Sequence, residues 1–424
     1  MLLEKNVIKN YCNNEIKNQW IAAPDSYPDF LSKILIEKKL ENENYILSMK
    51  ESLQKQIATY PSRKTNRLSL KNTSRSEQNK WQFETTTMFH NILKKENIIG
   101  IHNSMEEGSL ELLESELKDF MIHARKFAPE LNIEELGQAI RNYIVYVMFA
   151  QIHQVKTDFN MAAFGYSMLY PFTDNYIDSP NYTSKEKQEY NQLIRDKILG
   201  KKVSPKSSHQ KKTCRLLSHI EDMYPRNLDS SVFTLLDIML EAQEESLFQQ
   251  KSDLFLSYEK RLDISIYKGG VSVLLDRFFV DKPITREDYL FYLAFGFFLQ
   301  LADDLQDISE DTTSRNQTLF TLGETPEDKE KTVNKLLHFL SSIMKTYHTA
   351  NDTFKDFIFE NCCQLIFSSV TGSKAFFTET YVKQMEENLP VSLSFMEDLK
   401  KTPFDAGDIK NQKKYLKILD VMIK

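Results

Sequence analysis

The sequence predicts an all-α protein, and three observations support that prediction. Glycine (11) and proline (12) are scarce in a chain of 424 residues, well below their usual shares of about 7% and 5%. Apolar residues recur at spacings of three and four from about Trp81 onward, which is typical of helices that bury one face. Strict alternation of apolar and polar residues, the pattern of a half-buried strand, is hard to find. The chain is therefore expected to form long helices joined by short segments.

The same pattern divides the chain into two parts. Residues 1–80 are polar and are predicted to form an N-terminal extension, whereas residues 81–424 are predicted to form one α-helical domain. Within that domain the apolar spacing predicts ten helices, the longest of which allow internal breaks. They are placed near 106–128, 133–155, 158–178, 184–199, 229–251, 258–280, 286–311, 328–349, 352–386 and 406–423.

A basic segment lies inside the N-terminal part. Residues 62–80 carry six basic side chains against one acidic side chain. They form either an arm that closes over an anionic ligand or acidic surface, or a solvated linker. No aromatic residue is interleaved with these basic residues, and the chain has a formal charge of -6. Nucleic-acid binding is therefore not expected.

Composition also indicates a soluble, cytoplasmic protein. The four cysteines (Cys12, Cys214 and the vicinal Cys362 and Cys363) form no CxxC pair. The vicinal pair lies in an apolar helical setting, so we expect it to pack in the core rather than to form a redox or metal site, which fits a reducing compartment. The N-terminus has no apolar signal region. The longest apolar run, residues 289–299, is shorter than the roughly 20 residues that span a bilayer, so no transmembrane segment is expected.

An acidic stripe follows that apolar run. On a helix its members fall within an arc of about 100°; they are Gln300, Asp303, Asp304, Asp307 and Asp311. Carboxylates one turn apart repel each other, and in a cavity they raise one another's pKa unless a cation neutralises them. Mg²⁺ is the natural cation, because it prefers oxygen ligands and bridges carboxylates to phosphates. The alternative is an acidic face in solvent.

A second apolar and aromatic helix ends in Asp174 and Asp178. The two residues are four apart and therefore share one face. Negative charge at a helix C-terminus is unfavourable by about 0.3–1 kcal/mol, so this placement asks for a compensating cation. Together the two helices suggest a cavity with apolar walls and a metal-binding rim. The alternative is a helix end that is acidic without further consequence.

Positive charge is predicted where Gly269 and Gly270 interrupt a third helical pattern beside Lys268. Paired glycines weaken a helix by about 1 kcal/mol each and permit either a kink or a close approach of the backbone to a ligand. A helix that restarts after the break would offer free N–H groups to an anion. A packing kink with a solvated lysine is the alternative. Arg315 either bends back toward the same rim or is solvated.

These motifs resemble those of the class I isoprenoid synthase superfamily. Residues 297–311, FFLQLADDLQDISED, are similar to FQxxDDxxD of trans-prenyl diphosphate synthases, to QxxNxxRDxxED of squalene and phytoene synthases, and to (N/D)DxxSxxxE of terpene cyclases. The NQTLF that follows resembles a TLP-type segment, and IYKGGVSVLL is similar to the diphosphate-binding YxxKTGxL, with Gly269 in place of Thr. Residues 174–178 match DxxxD spacing but depart from DDxxD at Asn175. The resemblance covers residues 143 to 322.

The resemblance implies a class I terpenoid synthase-like helical bundle around a central apolar active-site cavity. It implies a prenyl diphosphate substrate, Mg²⁺ (three ions in this superfamily) and, as is common there, a homodimer. The implied catalytic residues are Asp174, Asp178, Asp303 and Asp307. The implied metal ligands are these four with Asp304 and Asp311. The implied substrate-binding residues are Lys268, Arg261, Arg315, Gly269, Gly270, Gln300, Tyr170 and Tyr267, with Phe164, Tyr166 and Phe297 as further wall candidates.

The reaction that follows ionisation of the diphosphate stays open at this stage. A terpene synthase needs only the features named above and is the preferred interpretation. A prenyltransferase is the alternative, either head-to-head or chain-elongating, but residues 179–190 (SPNYTSKEKQEY) lack the arginine pair of the elongating enzymes. A third possibility is a non-enzymatic helical binding protein whose acidic stripes face solvent.

Overall fold

The computed structural model describes residues 5–59, 75–105, 108–156, 158–179, 181–228, 230–250, 254–400, 416 and 418–423, and only the backbone of Asp178 and Lys400. This part of the chain is 76% helical and contains no strand. The prediction of an all-α fold is confirmed. None of its helices is both long enough and apolar enough to cross a membrane.

The described residues contain eighteen α-helices. In chain order they are α1 (Lys5–Asn10), α2 (Lys17–Ala22), α3 (Ile36–Ala58), α4 (Arg75–Lys95), α5 (Ile101–Ser104), α6 (Ser109–Phe127), α7 (Ile133–Ile152), α8 (Met161–Asp178), α9 (Ser184–Ile198), α10 (Ser208–Met223), α11 (Ser231–Ser246), α12 (Tyr258–Phe278), α13 (Arg286–Gln306), α14 (Ile308–Ser314), α15 (Pro326–Thr346), α16 (Asp352–Gly372), α17 (Glu379–Glu386) and α18 (Leu393–Lys400). A π-helical turn, Tyr11–Ile16, joins α1 to α2.

The chain divides into two compact units. The first contains Met1–Leu31 and Gln138–Met385, and the second contains Ser32–Gly137 and Glu386–Lys424. The sequence-based boundary near residue 80 falls within the second unit rather than between the units.

Helix α13 lies at the centre of the first unit because its first half is apolar on all sides. Its neighbours include α12, α15, α16 and the π-helical turn. Phe297 is completely buried, and its ring meets Trp20 and Phe339 edge-on, with centroids 5.3 and 5.5 Å away. This aromatic cluster fixes α13 within the bundle.

Residues 5–22, which the composition assigns to a polar extension, are helical and belong to this core. Ile8, Cys12, Ile16 and Trp20 recur every four residues, and each is at most 1% exposed. In the mean composition of residues 1–80, these four apolar residues are outweighed by the polar residues around them, which is why the segment was predicted to be a polar extension. The apolar face, rather than the mean composition, decides where the segment packs.

Helices α12 and α13 approach until their backbones touch. A Cβ added to Gly270 would lie 2.9 Å from the carbonyl oxygen of Leu293, and a Cβ on Gly269 would lie 2.6 Å from the Cβ of Gln300. Helix α12 is continuous through both glycines. The helix break predicted there is therefore wrong. The glycines permit a close approach of two helix backbones, whereas the sequence-based alternative to a kink was a close approach of the backbone to a ligand.

Most predicted helices of the first unit are present, with two internal breaks. The helix predicted near 286–311 ends at Gln306 and restarts as α14, and the one near 352–386 is divided between α16 and α17. Helix α10 was missed, although its buried residues follow the spacing of an amphipathic helix; they are Thr213, Leu216, Leu217 and Ile220. Helices α3 and α4 were also missed. The helix predicted near 406–423 falls largely outside the described residues.

The second unit has its own aromatic anchor. Trp81 packs with Ile418 and Val421, and its indole N–H donates to the Gln56 carbonyl over 3.0 Å. The C-terminal residues of the described chain therefore pack against α3 and α4. The vicinal cysteines Cys362 and Cys363, in the first unit, are both buried, as predicted.

Candidate functional site

An open cavity of about 340 Å³ lies in the first unit, between α7, α8, α11, α12 and α13. Both predicted aspartate motifs contribute to its lining, one from the end of α8 and the other from the end of α13. The predicted site residues that line it are Tyr170, Asp174, Lys268, Gly269, Gln300 and Asp303. Side chains that are far apart in the sequence therefore share one cavity.

Asp174 is held in place by its neighbours at the α8 side of the cavity. Gln243 of α11 donates a hydrogen bond to its Oδ1 atom, and the Thr173 hydroxyl donates to the same oxygen over 3.0 Å. Helix α8 itself begins at Asn160, whose side chain accepts from the Ala162 and Ala163 N–H groups. The cap stabilises the start of α8, and the hydrogen bonds from Gln243 and Thr173 orient the Asp174 carboxylate before any ligand arrives.

Asp303 lies on the α13 side, next to two cations. Burial by the surrounding protein raises its pKa, and the charges of Lys268 and Arg141 partly offset that rise. The close crossing of α12 and α13 brings Lys268 beside the last turn of α13. The cavity therefore contains carboxylates and cations at one end, which is the arrangement that a phosphate ester with bound metal requires.

Asp304 is buried behind this rim, with 7% of its surface exposed. Gln300 donates to its Oδ1 atom over 2.9 Å, while Oδ2 has no hydrogen-bond partner among the described residues. Burial raises the pKa of Asp304 to about 7, and the neighbouring Asp303 and Asp311 carboxylates add to the rise. The protein leaves this carboxyl incompletely compensated.

The acidic stripe is not one continuous helical face. Asp307 lies at the junction of α13 and α14. Its side chain is exposed, but partial desolvation by the surrounding protein and the charges of Asp303 and Asp311 still raise its pKa to about 6. Beyond this break Asp311 turns toward a different pocket, where it accepts a hydrogen bond from Asn316 over 2.8 Å. The helix geometry assumed for all five residues therefore holds only as far as Asp304.

Two of the residues predicted to bind the diphosphate, Arg261 and Arg315, lie in that second pocket instead. Arg261, Asp311 and Arg315 line an opening of about 440 Å³. The Arg261 guanidinium is 3% exposed and donates to the carbonyl oxygens of Leu256 and Thr318, each over 2.9 Å. Arg261 therefore ties the loop after α14 to the start of α12, and neither arginine lines the cavity that contains Asp174.

The remaining predicted residues either lie in the core or fall outside the described residues. Tyr267 lies under the N-terminal helix, with the Lys9 ammonium 5.6 Å from its ring centroid, and it does not line the cavity. Phe164 and Phe297 are core residues, whereas Tyr166 is buried behind Tyr170 with their hydroxyls 3.2 Å apart. The side chain of Asp178 and most of the basic segment at 62–80 lie outside the described residues.

Sequence reasoning missed a polar stripe on α7. Gln138, Arg141 and Asn142 line the cavity together with Val145, and their spacing of 0, 3, 4 and 7 is that of one helix face. The signal was present, because these polar residues interrupt an otherwise apolar helix. Asp276 on α12 was also missed, since it forms no spaced motif with another acidic residue of that helix.

The oxygen-only set of donors fits Mg²⁺ better than a softer metal. Within the described residues, no three Asp, Glu, His or Cys side chains are grouped closely enough to hold a metal ion by themselves. Mg²⁺ does not require such a group, since it commonly uses one or two carboxylates, water and substrate phosphate. The raised pKa values of Asp304 and Asp307 are those of carboxylates that a cation would stabilise.

Comparison of the chain with protein-family models, curated proteins and solved structures gave no match. The functional argument therefore rests on the cavity and its residues.

Proposed function

We propose that this protein is a class I isoprenoid synthase of the terpene synthase type. It would ionise an allylic prenyl diphosphate in a Mg²⁺-dependent reaction, release pyrophosphate, and cyclise or quench the carbocation. The observation that carries the proposal is the shared cavity, because Asp174, Asp303 and Lys268 all line it. On this proposal the helices form a class I terpenoid synthase-like bundle.

The charged end of the cavity would bind the diphosphate. Lys268 supplies a point charge and Arg141 a guanidinium that can bind two phosphate oxygens at once. Asp174 and Asp303, with Asp178 and Asp307, would hold Mg²⁺, which when bound stabilises the charge that develops on the departing pyrophosphate. The Gln243 hydrogen bond keeps Asp174 oriented for that role.

The opposite walls would accommodate the hydrocarbon. Val145, Tyr170, Met239 and Val273 line the cavity and would keep water from a carbocation, and the Tyr170 ring can attract the cation. A further apolar pocket of about 50 Å³ among α8, α9, α10 and α11 shares Tyr170, Met239 and Gln243 with the cavity. A substrate with a charged head and an apolar tail suits this arrangement.

The chain-elongating alternative has less support. Those enzymes use an arginine pair after the first aspartate motif to bind a second diphosphate. Here the first arginine after Asp178 is Arg195, and its guanidinium pairs with Asp237 and Glu244 over 2.8 and 2.7 Å. That arginine is already occupied by structural carboxylates.

The proposal is tested by incubating the protein with single prenyl diphosphates of increasing length, with and without Mg²⁺. Release of pyrophosphate and formation of a hydrocarbon or alcohol are expected only with Mg²⁺. Asp303→Asn should lower kcat/KM by on the order of 100-fold or more, because it removes charge that acts in the transition state. Glu287→Gln is the matched control, since it removes one exposed carboxylate from the other end of α13.

Three outcomes would count against the proposal. Turnover that requires added isopentenyl diphosphate and gives a longer diphosphate would make the protein a prenyltransferase. Equal losses in Asp303→Asn and Glu287→Gln would separate activity from the cavity. No pyrophosphate release from any substrate would leave a non-enzymatic helical protein.

A further inference from the structure

A buried carboxyl group lies at the far end of the same cavity. Asp276 is eight residues after Lys268 on α12, which is about 12 Å along the helix, and both residues line the cavity. Only 1% of the Asp276 surface is exposed. Its Oδ1 atom accepts a hydrogen bond from the Asn142 amide over 3.1 Å, whereas Oδ2 has no hydrogen-bond partner among the described residues.

The hydrogen bonds determine where a proton on Asp276 would lie. The Asn142 amide nitrogen also donates to the Ser167 hydroxyl oxygen over 3.1 Å, so one of its two N–H groups points to Ser167 and the other to Oδ1. Because Oδ1 is already an acceptor, the proton of a neutral Asp276 belongs on Oδ2. Burial raises the pKa of Asp276 well above its usual range, and the Asn142 hydrogen bond offsets that rise only in part.

An unpaired polar atom at this depth needs an explanation. Leaving a buried donor or acceptor unsatisfied is unfavourable, and native proteins retain few such groups. The aromatic side chains nearby do not satisfy it, since the Tyr166 hydroxyl donates to the Ser272 carbonyl over 3.1 Å. Asp276 lines the cavity, so a ligand bound there would supply a neighbour for Oδ2.

We propose that Asp276 is the proton donor of this cavity and that it acts on a carbon–carbon double bond of the bound hydrocarbon. This inference rests on the proposed function. The π electrons of the double bond form a C–H bond with the Oδ2 proton, the O–H electron pair stays on the carboxylate, and the second alkene carbon becomes a carbocation. The carboxylate then removes a proton from a carbon beside that cation, the C–H pair forms a new double bond, and the acid is restored.

The position of Asp276 suits this step. The carboxylate and the carbocation are formed as a pair, and their mutual attraction stabilises both charges in a site shielded from water. Asn142 continues to donate to the carboxylate after the proton has left. The distance of about 12 Å along the helix from Lys268 separates this site from the diphosphate, so the two ends of the substrate meet different chemistry.

The test is turnover of a prenyl diphosphate in D₂O, with deuterium counted per molecule of product by mass spectrometry. The acid proton of resting Asp276 exchanges with solvent, so the wild-type product should carry a deuterium atom that the Asp276→Asn product lacks. Counting deuterium per product molecule removes the effect of any change in total turnover. Asp263→Asn is the matched control, because Asp263 lies on the same helix and pairs with Lys17 over 2.7 Å.

Infrared difference spectra of the protein without substrate provide a second measurement. The wild type should show the C=O band of a protonated carboxyl that is missing from Asp276→Asn. The proposal is overturned if pyrophosphate is released but the wild-type product carries no deuterium, or if the Asp276→Asn product is labelled equally. Absence of pyrophosphate release instead overturns the proposed function, and with it the alkene as the partner of Asp276.

Discussion

Asp288 and Asp304 are two buried aspartates at opposite ends of α13, and their surroundings differ. Asp288 accepts from the Thr285 N–H over 2.8 Å, the Tyr347 hydroxyl over 2.6 Å and the Arg277 guanidinium over 3.2 Å. Among the described residues, Asp304 accepts a hydrogen bond from the Gln300 amide alone. The Asp288 carboxylate is therefore part of a complete hydrogen-bond and ion-pair network, whereas the Asp304 carboxylate has no paired positive charge among the described residues.

The pKa values of the two groups move in opposite directions. Burial pushes the pKa of Asp288 upward, but its hydrogen bonds and the charge of Arg277 outweigh burial, so that the pKa falls below its ordinary value. Burial raises the pKa of Asp304 to about 7. The comparison teaches that burial alone does not mark a functional carboxylate; incomplete compensation does.

The largest expected effect is the difference in stability between Asp→Asn substitutions at the two ends of α13. Asp288→Asn leaves Arg277, which is 0% exposed, without its carboxylate, and should lower the free energy of unfolding by about 3–5 kcal/mol. Asp304→Asn removes a buried negative charge that the fold destabilises, so at pH 7 it should leave the free energy of unfolding unchanged or raise it. Urea unfolding at pH 7 without divalent cations measures both. Similar losses would show that the two ends are equally structural.

A smaller effect is expected where the glycines hold α12 against α13. Gly296→Ala places a methyl group against the Gly269 backbone and should cost about 1–3 kcal/mol of unfolding free energy. Gly137→Ala is the control, because a Cβ there meets nothing within 4 Å in the helix α7, and it should stabilise the protein by about 0.5–1 kcal/mol. Chemical denaturation of the two variants measures the difference. A neutral Gly296→Ala would mean that the crossing can relax.

The sequence predicts the aspartates of the cavity better than it predicts the cations. Asp174 and Asp303 follow long apolar runs, so their helix and their face could be read from spacing. Arg141 could not be assigned in this way, because its approach to Asp303 depends on how α7 packs against the rest of the bundle. Arg261 was misplaced for the same reason, since charge and nearness to a motif do not show that carbonyl oxygens already occupy a guanidinium.

The breaks in helices were also beyond sequence spacing. Gly269 and Gly270 are as consistent with a kink as with a close crossing, and only the position of Gly296 on the facing helix decides between them. Asp307 ends α13 within a pattern that remains periodic. Spacing along one helix predicts which residues share a face, but the partner helix determines what that face meets.

The pH dependence of the free energy of unfolding should show the smallest net effect. Groups at the two ends of α13 titrate with opposite consequences for stability, so their contributions partly cancel. Without divalent cations, the stability associated with protonated Asp304 is complete below about pH 4 and is lost as the pH rises through about 7. At the other end, the His153 Nε2 atom and the Tyr292 hydroxyl share a hydrogen bond of 2.9 Å, and burial and the charge of Arg277 lower the pKa of His153 from 6.5 to about 4. Its contribution is complete above about pH 6.5 and is lost as the pH falls through about 4.

Unfolding free energies between pH 4 and 8 for the wild type, Asp304→Asn and His153→Gln separate the two contributions. The difference between wild type and Asp304→Asn should fall as the pH rises, and the difference between wild type and His153→Gln should rise, each by at most about 1.4 kcal/mol per pH unit. Added Mg²⁺ should flatten the Asp304 difference alone, since a bound cation replaces the proton as the neutralising charge. A Mg²⁺ effect of equal size on the His153 difference would mean that the ion acts on the whole fold, and the contrast between the two ends of α13 would no longer locate a metal site.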